Sequence, residues 1–374
     1  MAKRKTNNLV LVTGGAGFVG SHLVDGLIAS GYRVRVLDNL RRPTHTGGLP
    51  AWFNKKAQFV RGDVDKKSDW EKALKDVSYI FHLAGYMDYR MDFSEYVRAN
   101  AESAALLYEV IVEKRLPVKK VIVASSQAVY GEGKYVCRVH GLQYAKPRDE
   151  KRLKKQDWAV YCACGKKMAG PIAQKEDDEL MPTNPYAITK RALEELALML
   201  GREYSIPTVV LRYAIVHGSR QTFRNFYSGA LRAYAVQALA GERIEMHEDG
   251  HQIRDFVHID DAVAAHMVVL KSSKANYEIF NVGSGRRDTV MDLAKTVAKA
   301  VGVRHNPLLK GVFRVRTTRH SLMDVSKLKR LGWRPKKKLE DNVRDYVAFI
   351  KGYPEAIRYL RQSYRDMAAK SLVQ

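Results

Sequence analysis

Tyr186 and Lys190 are the residues whose types and spacing first suggest chemistry. They stand four apart in a stretch that reads as a helix starting just after Pro185, so both side chains emerge on one face. A phenol and an ammonium side by side suit the oxidation of an alcohol, which needs a base for the hydroxyl proton and an acceptor for the hydride. A free tyrosine, with a pKa of about 10, is a poor base near neutrality. A lysine ammonium and a cationic nicotinamide nearby favour the phenolate, so the expectation is a lowered phenol pKa, with Lys190 also bonding the nicotinamide ribose. A Tyr-x-x-x-Lys pair alone is common in helices. Its weight here comes from a second feature, the glycine-rich turn Thr13-Gly14-Gly15-Ala16-Gly17-Phe18-Val19-Gly20.

That turn follows a short apolar run at 9–12 and opens an amphipathic stretch at 19–30. A tight turn, close backbone approach to a pyrophosphate and close helix–strand packing each require a missing side chain, and the helix start offers free N–H groups to phosphate. Gly14, Gly17 and Gly20, with Phe18 and Val19, are therefore the expected cofactor turn. Asp38 ends the next strand, at 33–37, 18 residues after Gly20, where a carboxylate accepts from the ribose hydroxyls of NAD. Arg41 and Arg42 keep NADP open; Asp38 would repel a 2′-phosphate and favours NAD.

Further strand-like runs lie at 58–61, 79–83 and 120–124, with helical patterns between them, clearest at 95–114. Alternating strand and helix implies an α/β fold, a doubly wound parallel sheet of the Rossmann type. The reading divides the chain into an NAD-binding domain over 1–215 and a smaller, mainly substrate-binding α/β domain over 216–374, with chain crossings back to the first. Residues 132–184 interrupt the rhythm: they are polar, poor in periodicity and long for a loop inside a compact domain.

The ordered motifs resemble the extended short-chain dehydrogenase/reductases that process nucleotide sugars, typified by UDP-galactose 4-epimerase. Besides the glycine turn they are Asp38-Asn39-Leu40, Gly62-Asp63-Val64, His82-Leu83-Ala84-Gly85, Asn100, Ser125-Ser126 leading to Val129-Tyr130-Gly131, and Pro185 to Lys190. Leu211-Arg212-Tyr213, Arg254 to Asp261, Asn281 to Gly285 and Leu331 to Pro335 complete the series. The resemblance spans residues 9 to about 345. It implies that Asp63 and Val64 flank the adenine, that Leu83, Ala84 and Gly85 line the phosphate and ribose side, and that Tyr213 sits near the nicotinamide. Asn39, Leu40, Asn100 and Ser125 join the cofactor set. Ser126 takes the place of the family's catalytic Ser or Thr, orienting the substrate hydroxyl. Arg254 and Arg314 match positions that hold the nucleotide diphosphate, and Arg319 is a further candidate; guanidinium groups suit phosphates. Homodimerisation through a helical face is implied as well.

Two departures limit the transfer. Gln127 and Ala128 follow Ser126 where the family's 4,6-dehydratases carry an Asp-Glu pair, which disfavours dehydration. The segment 86–96 is short and rich in aromatics and charge, so the sugar is not copied from the best-known member. The implied reaction is epimerisation of a nucleoside-diphosphate sugar, at C4 through a transient 4-keto sugar. A net dehydrogenase, reductase or decarboxylase of the same family is the alternative, and a non-catalytic RNA-binding relative is a more distant one.

All three cysteines fall within 28 residues of the interruption. Cys137 and His140 form a C-x-x-H pair; Cys162 and Cys164 form a C-x-C pair. Together they make a Cys3His set for a structural zinc, against free or partly oxidised cysteines. The C-x-C spacing is shorter than the usual knuckle, which strains chelation by both thiolates.

The chain has a net charge of +24 over 374 residues, and from Arg304 onward 18 Lys/Arg face 6 Asp/Glu. No nucleic-acid motif accompanies that charge, so a solvated basic surface with arginines for a diphosphate is preferred to a polyanion-binding tail. No long apolar run predicts a membrane span. The basic start leads into a strand and not a signal peptide, and three cysteines suit a reducing cytoplasm.

Overall fold

The computed structural model describes residues 8–46, 48–88, 91–225, 229–314 and 317–369. The basic residues 1–7, Tyr89 and Arg90 of the 86–96 segment, and Val315 and Arg316 beside Arg314 lie outside them.

Seven parallel strands form the central sheet: β1 (Leu9–Thr13), β2 (Arg33–Asp38), β3 (Gln58–Arg61), β4 (Tyr79–His82), β5 (Lys120–Ser126), β9 (Thr208–Tyr213) and a last strand, Glu278–Val282. The last strand lies next to β9, followed by β5, β4, β1, β2 and β3. The alternation of side chains along β1 explains its wholly apolar sequence. Val10 and Val12 pack on one face, against Leu23, Val24 and Leu27 of the helix Phe18–Ala29 and Ala262, Ala265 and Val269 of the helix Ile259–Lys271. Leu9 and Leu11 pack on the other, with Leu107, Leu193 and Ala197 from the helices Ser103–Glu113 and Pro185–Glu203. A sheet covered on both faces needs apolar residues at every strand position.

The winding order reverses between β1 and β4, parallel neighbours in the sheet: β2 and β3 are added on one side of β1, and β4, β5 and β9 on the other. This is the switch point where the carboxyl ends of an open sheet leave a ligand crevice. A third core, with Leu231, Tyr234, Leu293, Val297, Val343 and Tyr346, holds the C-terminal helices together.

Two expectations change in detail. The helix expected over 95–114 is broken: Phe93–Tyr96 is followed by a π-helical turn, Val97–Glu102, before Ser103–Glu113 begins. The wider turn presents Asn100 inward, fully buried, as π-turns at functional sites often do. The aperiodic interruption has structure of its own. Strands β6 (Lys134–Cys137), β7 (Gly141–Tyr144) and β8 (Ala169–Ile172) form an antiparallel sheet with β6 central. Its core is only Tyr135, Cys137, Ala145, Val160, Cys162 and Met168.

Candidate active site

The glycine turn fits a dinucleotide by what it excludes. Gly14 has φ +67°, and a Cβ there would lie 3.0 Å from the backbone of Ala84, so the turn and the β4 exit touch. A Cβ on Gly20 would lie 2.2 Å from the carbonyl oxygen of Gly14. The helix Phe18–Ala29 starts with no side-chain cap, which leaves its first N–H groups for an anion. Asp38, buried at the end of β2, accepts from the Ala16 N–H at 3.0 Å and the Leu40 N–H at 2.9 Å, which fixes its carboxylate beside the turn. Asn39 donates to Asp63 at 2.8 Å, and Trp70 donates to the Val64 carbonyl at 2.8 Å. A cradle that side chains would fill, next to a fixed carboxylate, suits the pyrophosphate and ribose of NAD.

A buried relay supports this floor. Thr13 Oγ1 accepts from the N–H groups of Leu83 and Ala84, both at 3.1 Å, so its own proton goes to His82 Nδ1 at 2.9 Å. His82 Nε2–H then donates to Ser103 Oγ at 3.0 Å, and Ser103 donates to the Ala99 carbonyl at 2.8 Å. Burial, with Lys190 nearby, pushes the His82 pKa down to about 3, so the ring is neutral.

Ser126 ends β5 opposite Tyr213 on β9. Asn184 caps the helix Pro185–Glu203 by accepting from the Ala187 N–H at 2.9 Å, and Pro185 begins it. The first turn thereby carries Tyr186 beside Ser126, whose hydroxyl favours the ionised phenol. One turn on, Lys190 is buried and donates to the Ala124 carbonyl of β5 at 2.9 Å. The sequence-based expectation of a lowered phenol pKa is not met: burial raises Tyr186 above the ordinary value, and the Ser126 hydroxyl only opposes it. Burial instead lowers Lys190 to about 8, with Glu194 working against the shift.

Gly85 allows this crowding. A Cβ there would lie 2.8 Å from Asn100 Oδ1 and 3.1 Å from Lys190 Nζ. Asn100 pins the segment by accepting from the Tyr86 N–H at 2.9 Å and donating to the Tyr86 carbonyl at 3.0 Å and Thr189 Oγ1 at 3.1 Å. Tyr213 donates to His266 Nε2 at 2.5 Å, while His266 Nδ1–H donates to the Ala262 carbonyl at 2.8 Å. Beneath, Glu194 takes a two-pronged bond from Arg212, at 2.9 and 2.7 Å, and a hydrogen bond from Ser125. Thr13, His82, His266 and Glu194 were not among the site residues read from the sequence. Their partners stand 69, 21, 53 and 18 positions away, so no local spacing flags them.

On the substrate side, Gln127 carries a neutral amide whose oxygen accepts from Ser321 at 2.7 Å. Arg254 donates to the carbonyls of Ile253, Thr318 and Arg319, each at 2.9 Å. The Arg314 guanidinium rests against the Met367 sulfur at 3.3 Å. Arg319 has carboxylate partners: it pairs with Glu248 and Asp249, both at 2.7 Å. In the 132–184 insertion, the ligating atoms of Cys137, His140, Cys162 and Cys164 all lie within 4.8 Å of one another, and the three thiols are free.

The model of the NAD dependent epimerase/dehydratase family matches residues 10–283, and the chain belongs to that family of enzymes. It is 30% identical over 348 residues to the dTDP-L-rhamnose 4-epimerase of Burkholderia thailandensis, covering 91% of this chain and 94% of the relative. Its fold is similar to that of a UDP-glucose 4-epimerase from Thermotoga maritima solved with UDP-glucose, at TM-score 0.76 and 29% identity, covering 92% of this chain and 99% of the other. A UDP-glucuronic acid 4-epimerase from Bacillus cereus, solved with UDP-glucuronic acid and NAD, is similar at TM-score 0.75 and 26% identity, with 92% and 99% covered. Among the described residues no helix is long and apolar enough to cross a membrane.

Proposed function

We propose that this protein is an NAD-dependent 4-epimerase of a nucleoside-diphosphate hexose. The observation that carries the reading is the convergence of Ser126 at the carboxyl end of β5 with Tyr186 and, one helical turn on, Lys190, which is held to β5, next to the glycine cradle. The residues that would hold NAD are Gly14, Gly17, Phe18, Val19 and Gly20 at the pyrophosphate, Asp38 at the adenosine ribose, Asp63 and Val64 at the adenine, and Lys190 at the nicotinamide ribose. When bound, NAD accepts hydride from a sugar carbon and returns it.

Tyr186 removes the hydroxyl proton of the reacting carbon and gives it back after the ketone has turned over. Ser126 bonds the same oxygen and steadies the charge that develops on it. Lys190, held to β5 through Ala124, keeps a positive charge one helical turn from the phenol and favours its ionised form. The Asn100–Tyr86 clamp and the Tyr213–His266 bond hold the walls of the pocket in one conformation. Arg254 and Arg314 are assigned to the diphosphate by their positions in the motif series, and would exchange carbonyl and sulfur contacts for phosphate oxygens. Gln127 has no carboxyl proton to give or take, which counts against water elimination, and the relatives named as 4-epimerases support C4 as the centre inverted.

Incubation of the purified protein with UDP-glucose, UDP-glucuronic acid and dTDP-L-rhamnose, followed by proton NMR, tests this. The expected result is approach to a mixture of C4 epimers for at least one sugar, with no net NADH. NADH formed in step with product would overturn the reading in favour of a net oxidoreductase, and so would inertness of NAD-loaded protein toward every sugar.

A further inference from the structure

We propose that Cys137, His140, Cys162 and Cys164 bind one structural zinc ion that cross-links the 132–184 insertion, the segment that carries Arg148 to the C-terminal part of the protein.

The four ligand atoms lie within 4.8 Å of one another, and three of their six separations are near the spacing zinc requires. Zinc bonds of about 2.3 Å to sulfur and about 2.0 Å to nitrogen in a tetrahedron separate the ligand atoms by roughly 3.5–3.8 Å. Cys137 Sγ is 3.7 Å from Cys164 Sγ and 3.8 Å from His140 Nδ1, and His140 Nδ1 is 3.3 Å from Cys162 Sγ. A disulfide needs its sulfurs at about 2.05 Å, far inside the Cys137–Cys164 separation. Four protein ligands fill a tetrahedral shell and leave no open position, so the site is structural and not catalytic. Three thiols and an imidazole select zinc over magnesium or calcium.

The backbone around the ligands is shaped for the same end. The Val139 N–H donates to Cys137 Sγ at 3.4 Å, as it would to a thiolate. Gly141 follows His140 at φ +67°, and Gly165 follows Cys164 at φ +79°, so each pair sits on a turn closed by a left-handed glycine. The second turn is tied by Gly165 N–H to the Cys162 carbonyl at 2.9 Å and Cys162 N–H to the Lys166 carbonyl at 3.0 Å. This turn brings both sulfurs of the short C-x-C pair within reach of one centre.

Packing of cysteines as small apolar residues accounts for Cys137 and Cys162, which are buried. It gives no reason for the exposed pair, His140 and Cys164, to converge on the same point. The insertion also has a task that requires it to be held. Arg148 reaches across to Glu248 with two hydrogen bonds, at 3.0 and 2.8 Å, and to the Thr317 carbonyl at 2.9 Å. A six-residue core is small support for that buried charge, and a metal staple supplies what the core lacks.

The test uses the full-length protein, purified under reducing conditions from zinc-supplemented cells. Native mass spectrometry is expected to show one zinc per chain. A chelator should release it, expose three titratable thiols and open residues 134–172 to protease. Cobalt(II) added to the stripped protein should give thiolate-to-metal charge-transfer absorption. The double variant Cys162→Ser/Cys164→Ser should lose the metal, and His140→Cys, a four-thiolate set, should retain it. A wild-type protein that holds no zinc and shows no cobalt–thiolate absorption overturns the proposal, as does metal content unchanged in the double variant. If the variants are insoluble, joint release of zinc and three thiols from the wild type supports it, and release of zinc without new thiols overturns it.

Discussion

The central sheet and the insertion solve the same problem, holding polar side chains at fixed positions, by opposite means. Around the sheet, two extensive apolar layers fix the backbone, and polar residues such as Ser126, Tyr186, Lys190 and Asn100 are set into it, Lys190 and Asn100 tied by hydrogen bonds. The insertion has six core residues and relies on directional bonds: Arg148 with Glu248, Lys134 with Asp178 at 2.5 Å, and the Cys3His cluster. Both regions hold buried titratable groups, but apolar packing is insensitive to redox state, whereas the thiols of the insertion respond to it. The first suits a reaction site that must not move, and the second suits an attachment that solution conditions can loosen.

The largest effect that separates the two regions is on rate. Tyr186→Phe removes the proton acceptor and leaves the packing, so kcat should fall by roughly 10²–10⁴-fold, with a melting temperature close to wild type. Steady-state kinetics beside thermal unfolding checks this. A comparable loss of stability would mean that the Tyr186 hydroxyl holds the fold, and the division between packing and chemistry would fail.

Acid should act on the sheet side. His82 and His266 are buried and neutral, with burial lowering their pKa values to about 3 and about 4. Each takes up a proton on unfolding below its unfolded value near 6.5, so stability is present above that pH and is lost as pH falls toward 4. The loss at pH 5 should be on the order of 1–2 kcal/mol per ring. Urea unfolding between pH 7 and 5 measures it, and a flat profile would contradict the neutral assignments.

Gly20→Ala pushes a methyl group to 2.2 Å from the Gly14 carbonyl, so the turn must shift. A destabilisation of about 1–3 kcal/mol and roughly tenfold weaker retention of NAD are expected, measured on the same sample by unfolding and by released cofactor.

The smallest effect belongs to the insertion and has the opposite pH sense. Burial raises Glu132 to about 7, against the pull of Arg148. Its contribution is present below its unfolded value near 4.5 and is lost as pH rises through 7. Glu132→Gln should therefore stabilise the protein at pH 8 by about 1 kcal/mol and have little effect at pH 5. Equal effects at both pH values would remove the contrast between the regions.

What the sequence revealed follows the same division. β1, the glycine turn, Asp38 and the Tyr186–Lys190 pair are local patterns whose spacing carries their meaning, and the structure brings them together. The π-turn at Val97–Glu102 was hidden because Asn100 is held inward by Tyr86 and Thr189, which are distant in sequence. Arg319 read as a phosphate ligand because guanidinium groups suit phosphates; its carboxylate partners, Glu248 and Asp249, stand about 70 positions away. The strands of the insertion were invisible for another reason. With so small a core, β6 and β7 expose Val136 and Leu142 and lack the alternation that marks a strand.

The chain enters the insertion and leaves it on paired strands, with Lys134 opposite Ile172. Ser126 and Tyr186 are 60 positions apart along the chain. Once β6 and β8 have zipped, the contour that must still close between the two hydroxyls is only the two necks, 127–133 and 173–185. In polymer terms the excursion is a side branch, and closing the shorter contour is entropically easier by somewhat more than one doubling of loop length, on the order of 0.6–1 kcal/mol. Such a branch can be lengthened, trimmed or exchanged beyond the neck while the distance that governs proton transfer stays the same.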